Sequence, residues 1–286
     1  MSPAVELSAV IMAFNEKRTL GRTIEHLRAF CDEIIVVDDV STDGTWELLQ
    51  AMEGVRSVQH RHTTFAAQRE YGKSLAKGRW VLTMDADEYV TPALATAIRR
   101  EIAKSDAPDG FFLKWKTPWP PGLTGHTWSV HPRLVRADKC RWVVTDDPHS
   151  PLDLTGLSMR VLDEGHVDHE PIADLASALR KAINRSLIQA SQARAAGRKG
   201  SVLKLLASSW ARFMRVYFLE GAWRFGGDGI VWAGVQAFSP FSKYAFLLER
   251  PVTPAEALQD GGPGSYPKGS QFVTGGEPGA GPRAGP

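Results

Sequence analysis

The chain has 286 residues, of which 43% are hydrophobic, and this is enough for one large domain or for a domain with an appendage. Its 34 basic and 32 acidic residues leave a formal charge of +2, which argues against a nucleic-acid partner. Two cysteines, Cys31 and Cys140, provide neither a disulfide framework nor a metal-ligand spacing. There is no signal-peptide pattern, and charged residues interrupt every long apolar stretch, so we expect a cytoplasmic protein.

The first hundred residues alternate between strand and helix patterns. Short apolar runs predict buried strands at Leu7–Ala13, Glu33–Asp38 and Arg79–Met84, with a weaker strand at Val55–Val58. Amphipathic helix patterns lie between these runs. The alternation predicts a parallel sheet with right-handed crossovers, in which ligands bind at the carboxyl ends of the strands.

Three of these strand ends carry six polar or acidic side chains: Asn15, Glu16, Asp38, Asp39, Asp85 and Asp87. Because the carboxyl ends of parallel strands meet at one edge, we expect these groups to converge there. Asp85 and Asp87 are two positions apart in extended chain and would point the same way. Mg²⁺ or Mn²⁺ between them would relieve the repulsion and leave coordination positions for phosphate. Alternatively, the acidic segment caps the helix that is predicted to start near Thr91.

The first turn, Phe14-Asn15-Glu16, contains no glycine-rich phosphate loop. This argues against a dinucleotide site, in which backbone amides cradle the phosphates. We predict that Asn15 caps the first helix, and that Asp43 or Thr42 caps the second.

Three motifs carry a resemblance to a known family: Val10–Glu16, Ile35–Thr45 and Leu82–Glu88. In order, spacing and strand context they resemble family 2 glycosyltransferases of the GT-A fold. Gln68 and Arg69, which precede the third motif, make the chain similar to the lipopolysaccharide core β-glucosyltransferase branch. The resemblance implies a Rossmann-like α/β fold with a mixed, mostly parallel sheet, helices on both faces and a C-terminal helical extension.

The resemblance also implies site residues. The donor would be a nucleotide-diphosphate sugar, with a UDP-sugar favoured, and the cofactor would be Mg²⁺ or Mn²⁺. Asp87, with Asp85, would bind the metal. The nucleotide would contact Glu16, Asp38, Asp39, Arg69 and Asp85.

The chain departs from the family pattern at two positions. Val40 stands where the family usually has glycine, and a positive φ at this β-branched residue would be strained. Glu70 stands where asparagine is common. Nucleotide contacts in the first of these loops could therefore differ from those of the family.

The acceptor side is predicted between Gly110 and Arg136, where an alternating strand at Phe111–Lys116 precedes a segment rich in Pro, Gly, Trp and His. Aromatic rings stack on sugars, and Arg or His binds hydroxyls and phosphates. The alternative for each tryptophan is a place in the core. The predicted acceptor contacts are Trp115, Trp119, Trp128, Arg133 and His149.

An inverting transferase needs a general base for the acceptor hydroxyl. Asp147 is the preferred candidate and Asp146 the second, after a predicted strand at Cys140–Val144, although an Asp-Pro turn explains the same residues structurally. A His-Glu pair that the resemblance implies here is missing, because Ser150 follows His149. A zinc site at His166 and His169 is disfavoured because no third ligand has a diagnostic spacing.

We divide the chain into residues 1–165, the nucleotide-sugar-binding and catalytic domain, residues 166–250, a helical subdomain, and residues 259–286, a disordered Gly/Pro-rich tail. A long helix is predicted at Asp174–Ala196, and Gly226–Gly229 should separate two further helical segments. These segments are basic and rich in aromatic residues. They suit either the inner surface of the cytoplasmic membrane or packing against the sheet or a second copy.

The combined expectation is a metal-dependent, inverting hexosyltransferase. It would act on a glycan or lipid-linked acceptor in cell-envelope polysaccharide or lipopolysaccharide synthesis. One alternative is a nucleotidyltransferase, although the acidic first turn disfavours it. Another is a non-catalytic nucleotide-sugar-binding scaffold, which the missing His-Glu pair motivates.

Overall fold

The computed structural model describes residues 5–61, 64–139, 141–143, 152–170 and 174–249. In these ranges the strands are β1 (Leu7–Ala13), β2 (Glu33–Asp38), β3 (Arg56–Gln59), β4 (Trp80–Asp85), β5 (Glu88–Val90), β6 (Gly110–Pro118), β7 (His126–Arg136), β8 (Met159–Val161) and β9 (Val167–His169). The α-helices are α1 (Leu20–Arg28), α2 (Thr45–Gln50), α3 (Phe65–Leu75), α4 (Pro92–Ile102), α5 (Leu175–Ala195), α6 (Val202–Met214) and α7 (Gly226–Leu248).

These strands form one mixed sheet in the order β3-β2-β1-β4-β7-β6-β9-β5, with β8 paired to β6. β1 runs parallel to β2 and β4, and β2 runs parallel to β3. β7 runs antiparallel to both β4 and β6. The predicted fold, an α/β sheet that is mostly parallel, is confirmed. The sequence patterns located β1 and β2 at their observed bounds but did not indicate β5, β7, β8 or β9.

Helices cover both faces of the sheet, as predicted. Side chains of β1 alternate between the two faces because the strand is extended. Leu7 and Ile11 are buried with α1 and α4, whereas Val10 is buried beside Val37 of β2 and partly buried residues of α3. Gly72 of α3 lies so close to Val10 that a Cβ atom there would be only 2.6 Å from its Cγ1. This contact sets how closely α3 approaches the sheet.

The C-terminal helices pack on the tip of the β6–β7 hairpin. Trp119, just after β6, is buried and stacks on Trp232 of α7, with ring centroids 5.5 Å apart. Asp228 accepts hydrogen bonds from the backbone N–H and the hydroxyl of Thr124, at 2.9 and 2.6 Å. Trp119 therefore joins the helical region to the sheet, and its predicted acceptor contact is wrong because its ring is buried.

Two predicted boundaries need correction. The glycines at 226–229 do not separate two segments, because they form the first turn of α7. The chain turns earlier, at Gly221, whose φ is 81°, and then through a 3₁₀ turn at Ala222–Phe225. β9 pairs with β5 and β6, so the sheet extends beyond residue 165 into the predicted helical subdomain.

The helix prediction at Asp174–Ala196 is confirmed by α5, which Asp174 caps by accepting a hydrogen bond from the Ser177 amide. Among the described residues, no helix has both the length and the apolar character needed to cross a bilayer. Residues 259–286 lie outside the described part of the chain.

Candidate active site

The polar residues that follow β1, β2 and β4 converge on one edge of the sheet. In the strand registers Ala13 is aligned with Asp38, and Met12 with Asp85. The turn after β4 is attached to α1, because the buried Thr23 hydroxyl donates a hydrogen bond to the carbonyl of Ala86. The predicted convergence of the three strand ends is confirmed.

Asp38 fixes the loop that follows β2. Its carboxylate is fully buried and accepts hydrogen bonds from the Ser41 amide, the Ser41 hydroxyl and Gln59. Asn15 does not cap the first helix, which corrects the prediction. Its side-chain oxygen accepts a hydrogen bond from the Thr42 amide, and its backbone N–H donates to the Ser41 hydroxyl, so Asn15 joins the first two loops. Asp38 thus has a positioning role toward Asp39, its neighbour on the loop.

Two non-glycine residues in the described chain have a positive φ, and both lie in these loops: Asn15 at 56° and Val40 at 57°. Asparagine tolerates this conformation, whereas a β-branched residue is strained in it. The strain expected for a positive φ at position 40 is therefore present in the loop. The N-cap position of α2 is Gly44, not Asp43 or Thr42 as predicted, although Asp43 accepts a hydrogen bond from the Thr45 amide at the start of the helix.

Asp85 lies between two arginines. Arg133 of β7 donates to one carboxylate oxygen at 2.9 Å, and Arg69 of α3 lies 3.5 Å from the other. Burial alone would raise the pKa of Asp85, but Arg133 and Arg69 hold it well below its ordinary value. The Asp85 side chain is still 37% exposed, so a ligand could reach it. The two arginines therefore relieve the repulsion around Asp85 that a metal ion was expected to relieve.

Glu88 is a buried hydrogen-bond acceptor and does not cap the next helix. Its side chain is 2% exposed and accepts hydrogen bonds from the Asp85 amide at 2.7 Å and from the Trp115 indole at 2.8 Å. Burial raises the pKa of Glu88 to about 7, against the effect of Arg133. Its position at the start of β5, a strand that the sequence did not indicate, explains why this role was missed.

Asp87 is paired with His169 at the end of β9, with 3.6 Å between Oδ2 and Nε2. Burial opposes protonation of this imidazole, but the neighbouring carboxylate of Asp87 raises the pKa of His169 overall. Burial raises the pKa of Glu16, and the nearby charge of Asp87 raises it further. The carboxylates of Asp87 and Glu16 thus form the acidic end of the site, and the imidazole of His169 lies beside Asp87.

The side chains at this edge offer few ligands for the expected metal ion. No group of three or more His, Cys, Asp or Glu side chains in the described residues could hold a metal ion. The carboxylate of Asp87 nevertheless fits Mg²⁺ or Mn²⁺, because these ions prefer oxygen ligands and are commonly held by one or two carboxylates plus phosphate oxygens and water. Asp87 fits this role better than Asp85, whose oxygens face arginines.

The predicted acceptor residues separate into buried and exposed ones. Trp115 is 1% exposed and packs in the core, so its predicted contact with a sugar is wrong. Arg133 is paired with Asp85 and Glu88, and its guanidinium lies 5.4 Å from the Trp115 ring centroid. Trp128 is 54% exposed, and the rings of His126 and His166 approach it edge-on at 5.4 and 5.3 Å.

The predicted general bases, Asp147 and Asp146, and the acceptor candidate His149 lie outside the described residues. Of the predicted strand at Cys140–Val144, the described part forms one bridge, from Trp142 to Leu152. Glu70, the second departure from the family pattern, accepts a hydrogen bond from the Trp142 amide at 2.6 Å. It therefore anchors the described chain just before the candidate bases.

Residues 8–149 match the family model for glycosyl transferase family 2, over the strands and loops that build this edge. The chain contains a family 2 glycosyltransferase domain. The family prediction is confirmed, and the mostly parallel sheet with its C-terminal helices is GT-A-like, as expected.

The relatives of this family 2 chain include lipopolysaccharide core biosynthesis glycosyltransferase LpsC of Rhizobium meliloti. It is 28% identical over 270 residues, which cover 91% of this chain and 96% of LpsC. The UDP-Glc:alpha-D-GlcNAc-diphosphoundecaprenol beta-1,3-glucosyltransferase WfaP of Escherichia coli is 32% identical over 99 residues, or 32% of this chain and 39% of WfaP. The chain is thus similar to LpsC over nearly its whole length.

Among solved structures, the chain is similar to S. aureus TarS residues 1–349 in complex with UDP-GlcNAc. The TM-score is 0.47 and the identity is 12%, and the match covers 84% of this chain and 90% of that one.

Proposed function

We propose that this glycosyltransferase moves a sugar from a nucleotide-diphosphate sugar to a glycan or lipid-linked acceptor of the cell envelope. The observation that carries the proposal is the convergence of four acidic side chains at the carboxyl edge of a family 2 domain: Glu16, Asp39, Asp85 and Asp87. The name of WfaP supports a UDP-sugar donor and a lipid-linked acceptor, and the name of LpsC supports an acceptor in the lipopolysaccharide core.

In this proposal the nucleoside lies along the loops after β1 and β2, where Glu16 and Asp39 bind its hydroxyl and amide groups. Asp38 holds the second loop in place through Ser41. Arg69 and Arg133 keep Asp85 ionised beside the ribose or diphosphate. Asp87, with His169 next to it, holds Mg²⁺ or Mn²⁺, which when bound stabilises the charge of the departing diphosphate.

The acceptor oxygen attacks the anomeric carbon from the side opposite the diphosphate, so one displacement inverts the configuration. Asp147, or Asp146, removes the hydroxyl proton as the new bond forms. The exposed face of Trp128 stacks on the acceptor sugar, and edge-on contacts with His126 and His166 fix the orientation of its ring.

Replacing Trp128 with Ala should raise the acceptor KM and leave nucleotide binding unchanged.

The protein also makes a peripheral contact with the inner face of the cytoplasmic membrane, where a lipid-linked acceptor would be found. This part of the proposal is supported by exposed aromatic side chains in the helical region, which include Trp210, Phe218 and Trp223. Such rings suit the headgroup level of a bilayer.

The test is a thermal-shift screen with UDP, GDP, CMP and dTDP sugars, each with and without Mn²⁺. Binding to the native state raises its apparent stability by about 2.7 kcal/mol at a hundredfold excess over Kd. We expect a shift with one UDP-sugar that requires Mn²⁺ and that is lost in Asp87→Ala. An equal shift without the metal, or in the variant, would contradict the metal assignment, and no shift with any nucleotide sugar would contradict the donor class.

A further inference from the structure

A cavity of about 310 Å³ lies where α5, α6 and α7 meet, and none of the site residues described above lines it. Four of its lining residues are basic and none is acidic. The basic residues are Arg198, Lys199, Lys204 and Lys243. Four like charges around one cavity repel each other unless an anion lies between them.

These basic side chains have no acidic partner in the described residues. Ion pairs occur nearby in the same helical region, for example between Arg212 and Glu220, but none of them involves the four cavity cations. Lys243 instead lies over the ring of Tyr244, 5.8 Å from its centroid. The charges are thus available to a ligand from outside the described chain.

The walls of the cavity are held in place by backbone contacts. Gly200 lies against the end of α7, where an added Cβ would be 2.7 Å from the Leu247 carbonyl carbon. Arg194 donates a hydrogen bond to the Phe246 carbonyl at 2.6 Å, and the Ser201 hydroxyl caps α6. A cavity fixed in this way requires little ordering when an anion binds.

Exposed apolar side chains lie on α6, the helix that contributes Lys204 to the cavity. Leu203, which is 77% exposed, directly precedes Lys204 at the start of α6. Leu206 and Trp210 follow on the same side of the helix at the i+3 and i+7 positions, and both are exposed. A soluble phosphate would make no use of these apolar groups, whereas a lipid headgroup brings phosphate and acyl chains together.

We infer that this cavity binds the phosphate of an anionic lipid headgroup while Leu203, Leu206 and Trp210 enter the lipid surface. The inference specifies the residues of the proposed membrane contact, but it does not depend on the sugar-transfer reaction. A failure of vesicle binding would therefore refute this inference alone, and a failure of nucleotide-sugar binding would refute the proposed donor alone.

The experiment is vesicle flotation of the full chain with phosphatidylcholine alone and with phosphatidylcholine plus phosphatidylglycerol. We expect binding only when phosphatidylglycerol is present. Each basic residue near an anionic surface contributes about fivefold to binding, so the double variant Lys204→Gln with Lys243→Gln should bind roughly thirtyfold less. Leu203→Ser with Leu206→Ser should also reduce flotation.

The matched control is Lys77→Gln with Lys139→Gln, which removes the same charge from exposed positions of the catalytic domain. It should bind vesicles nearly as well as the wild type. Equal loss in this control would show that net charge alone drives binding and would overturn the site. The lipid assignment would be overturned if glycerol 3-phosphate stabilised the wild type but not the cavity variant while flotation was the same for both, because the cavity would then bind a soluble phosphate.

Discussion

At the amino ends of the parallel strands, Asp32 accepts hydrogen bonds from two backbone amides and from both terminal nitrogens of Arg99. Both carboxylate oxygens of Asp32 thus accept hydrogen bonds, and the Asp32–Arg99 pair is partly exposed to solvent. At the carboxyl ends of the same strands, Asp85 and Glu88 share Arg133, whose second terminal nitrogen is buried without a partner in the described protein. One end of the sheet uses acidic groups for stability, and the other concentrates them in a site.

The two ends also differ in backbone strain. Asn15 and Val40, with their positive φ values, both follow strands at the carboxyl end. Strained residues persist where the surrounding structure holds them, and they cluster at ligand sites. The carboxyl end therefore combines strain, unequal pKa values and a buried ion-pair network in a few loops. Substitutions at the two ends should therefore differ in their effects on activity and in how much stability they cost.

The largest expected effect is on activity, from Asp87→Ala. If Asp87 holds the metal, release of nucleoside diphosphate from the donor should fall by about 10³-fold or more. The fold should be retained, since α1 is attached to this turn through the backbone carbonyl of Ala86. Activity is measured with the donor found in the thermal-shift screen, and unfolding is followed by circular dichroism. Asp32→Asn is the control, and it should leave turnover unchanged.

The largest expected effect on stability is from Arg133→Met. This change leaves the buried Glu88 and the partly exposed Asp85 without their shared cation, and breaking such a network costs about 3–5 kcal/mol. The matched variant Arg99→Met removes the partner of Asp32 at the more exposed end and should cost about 1 kcal/mol or less. Urea unfolding measures both values. Equal losses of unfolding free energy in the two variants would show that the ion pairs at the two ends do not differ in how strongly burial affects them.

The contrast between the two ends also explains what the sequence could predict. The strands β1, β2 and β4 follow from uninterrupted apolar runs, and their polar ends follow from parallel topology. The partners of those ends could not be predicted in this way. Arg133 and His169 are placed by β7 and β9, which carry polar side chains on short or irregular strands that pair at long range. Trp115 was predicted to stack on a sugar because its burial, which is set by tertiary packing, could not be derived from the sequence pattern.

A smaller effect, with a defined pH dependence, is expected from Asp32→Asn. Hydrogen bonds from Arg99 hold the pKa of Asp32 below its ordinary value of about 3.9. The folded state therefore keeps Asp32 ionised at a pH where the unfolded chain binds a proton. The resulting stability is complete above about pH 4 and is lost as the pH falls through the folded-state pKa.

The variant should be about 1–2 kcal/mol less stable at neutral pH, and it should lose less stability than the wild type on acidification. Urea unfolding at several pH values below 5 measures this difference. Parallel curves for the two proteins would contradict the role given to Asp32.

The smallest effect, and the only stabilising one, is expected from Val40→Gly. Relief of a left-handed β-branched residue gains about 1–3 kcal/mol, and the added freedom of glycine in the unfolded chain offsets up to about 1 kcal/mol of this gain. The net change should be a stabilisation of about 1 kcal/mol. Asn15→Gly is the informative control, because asparagine tolerates a positive φ and its side chain accepts a hydrogen bond from the Thr42 amide. That variant should lose stability. If both glycine variants changed stability in the same direction, backbone strain at Val40 would not distinguish this loop, and the carboxyl end would differ from the amino end by its charges alone.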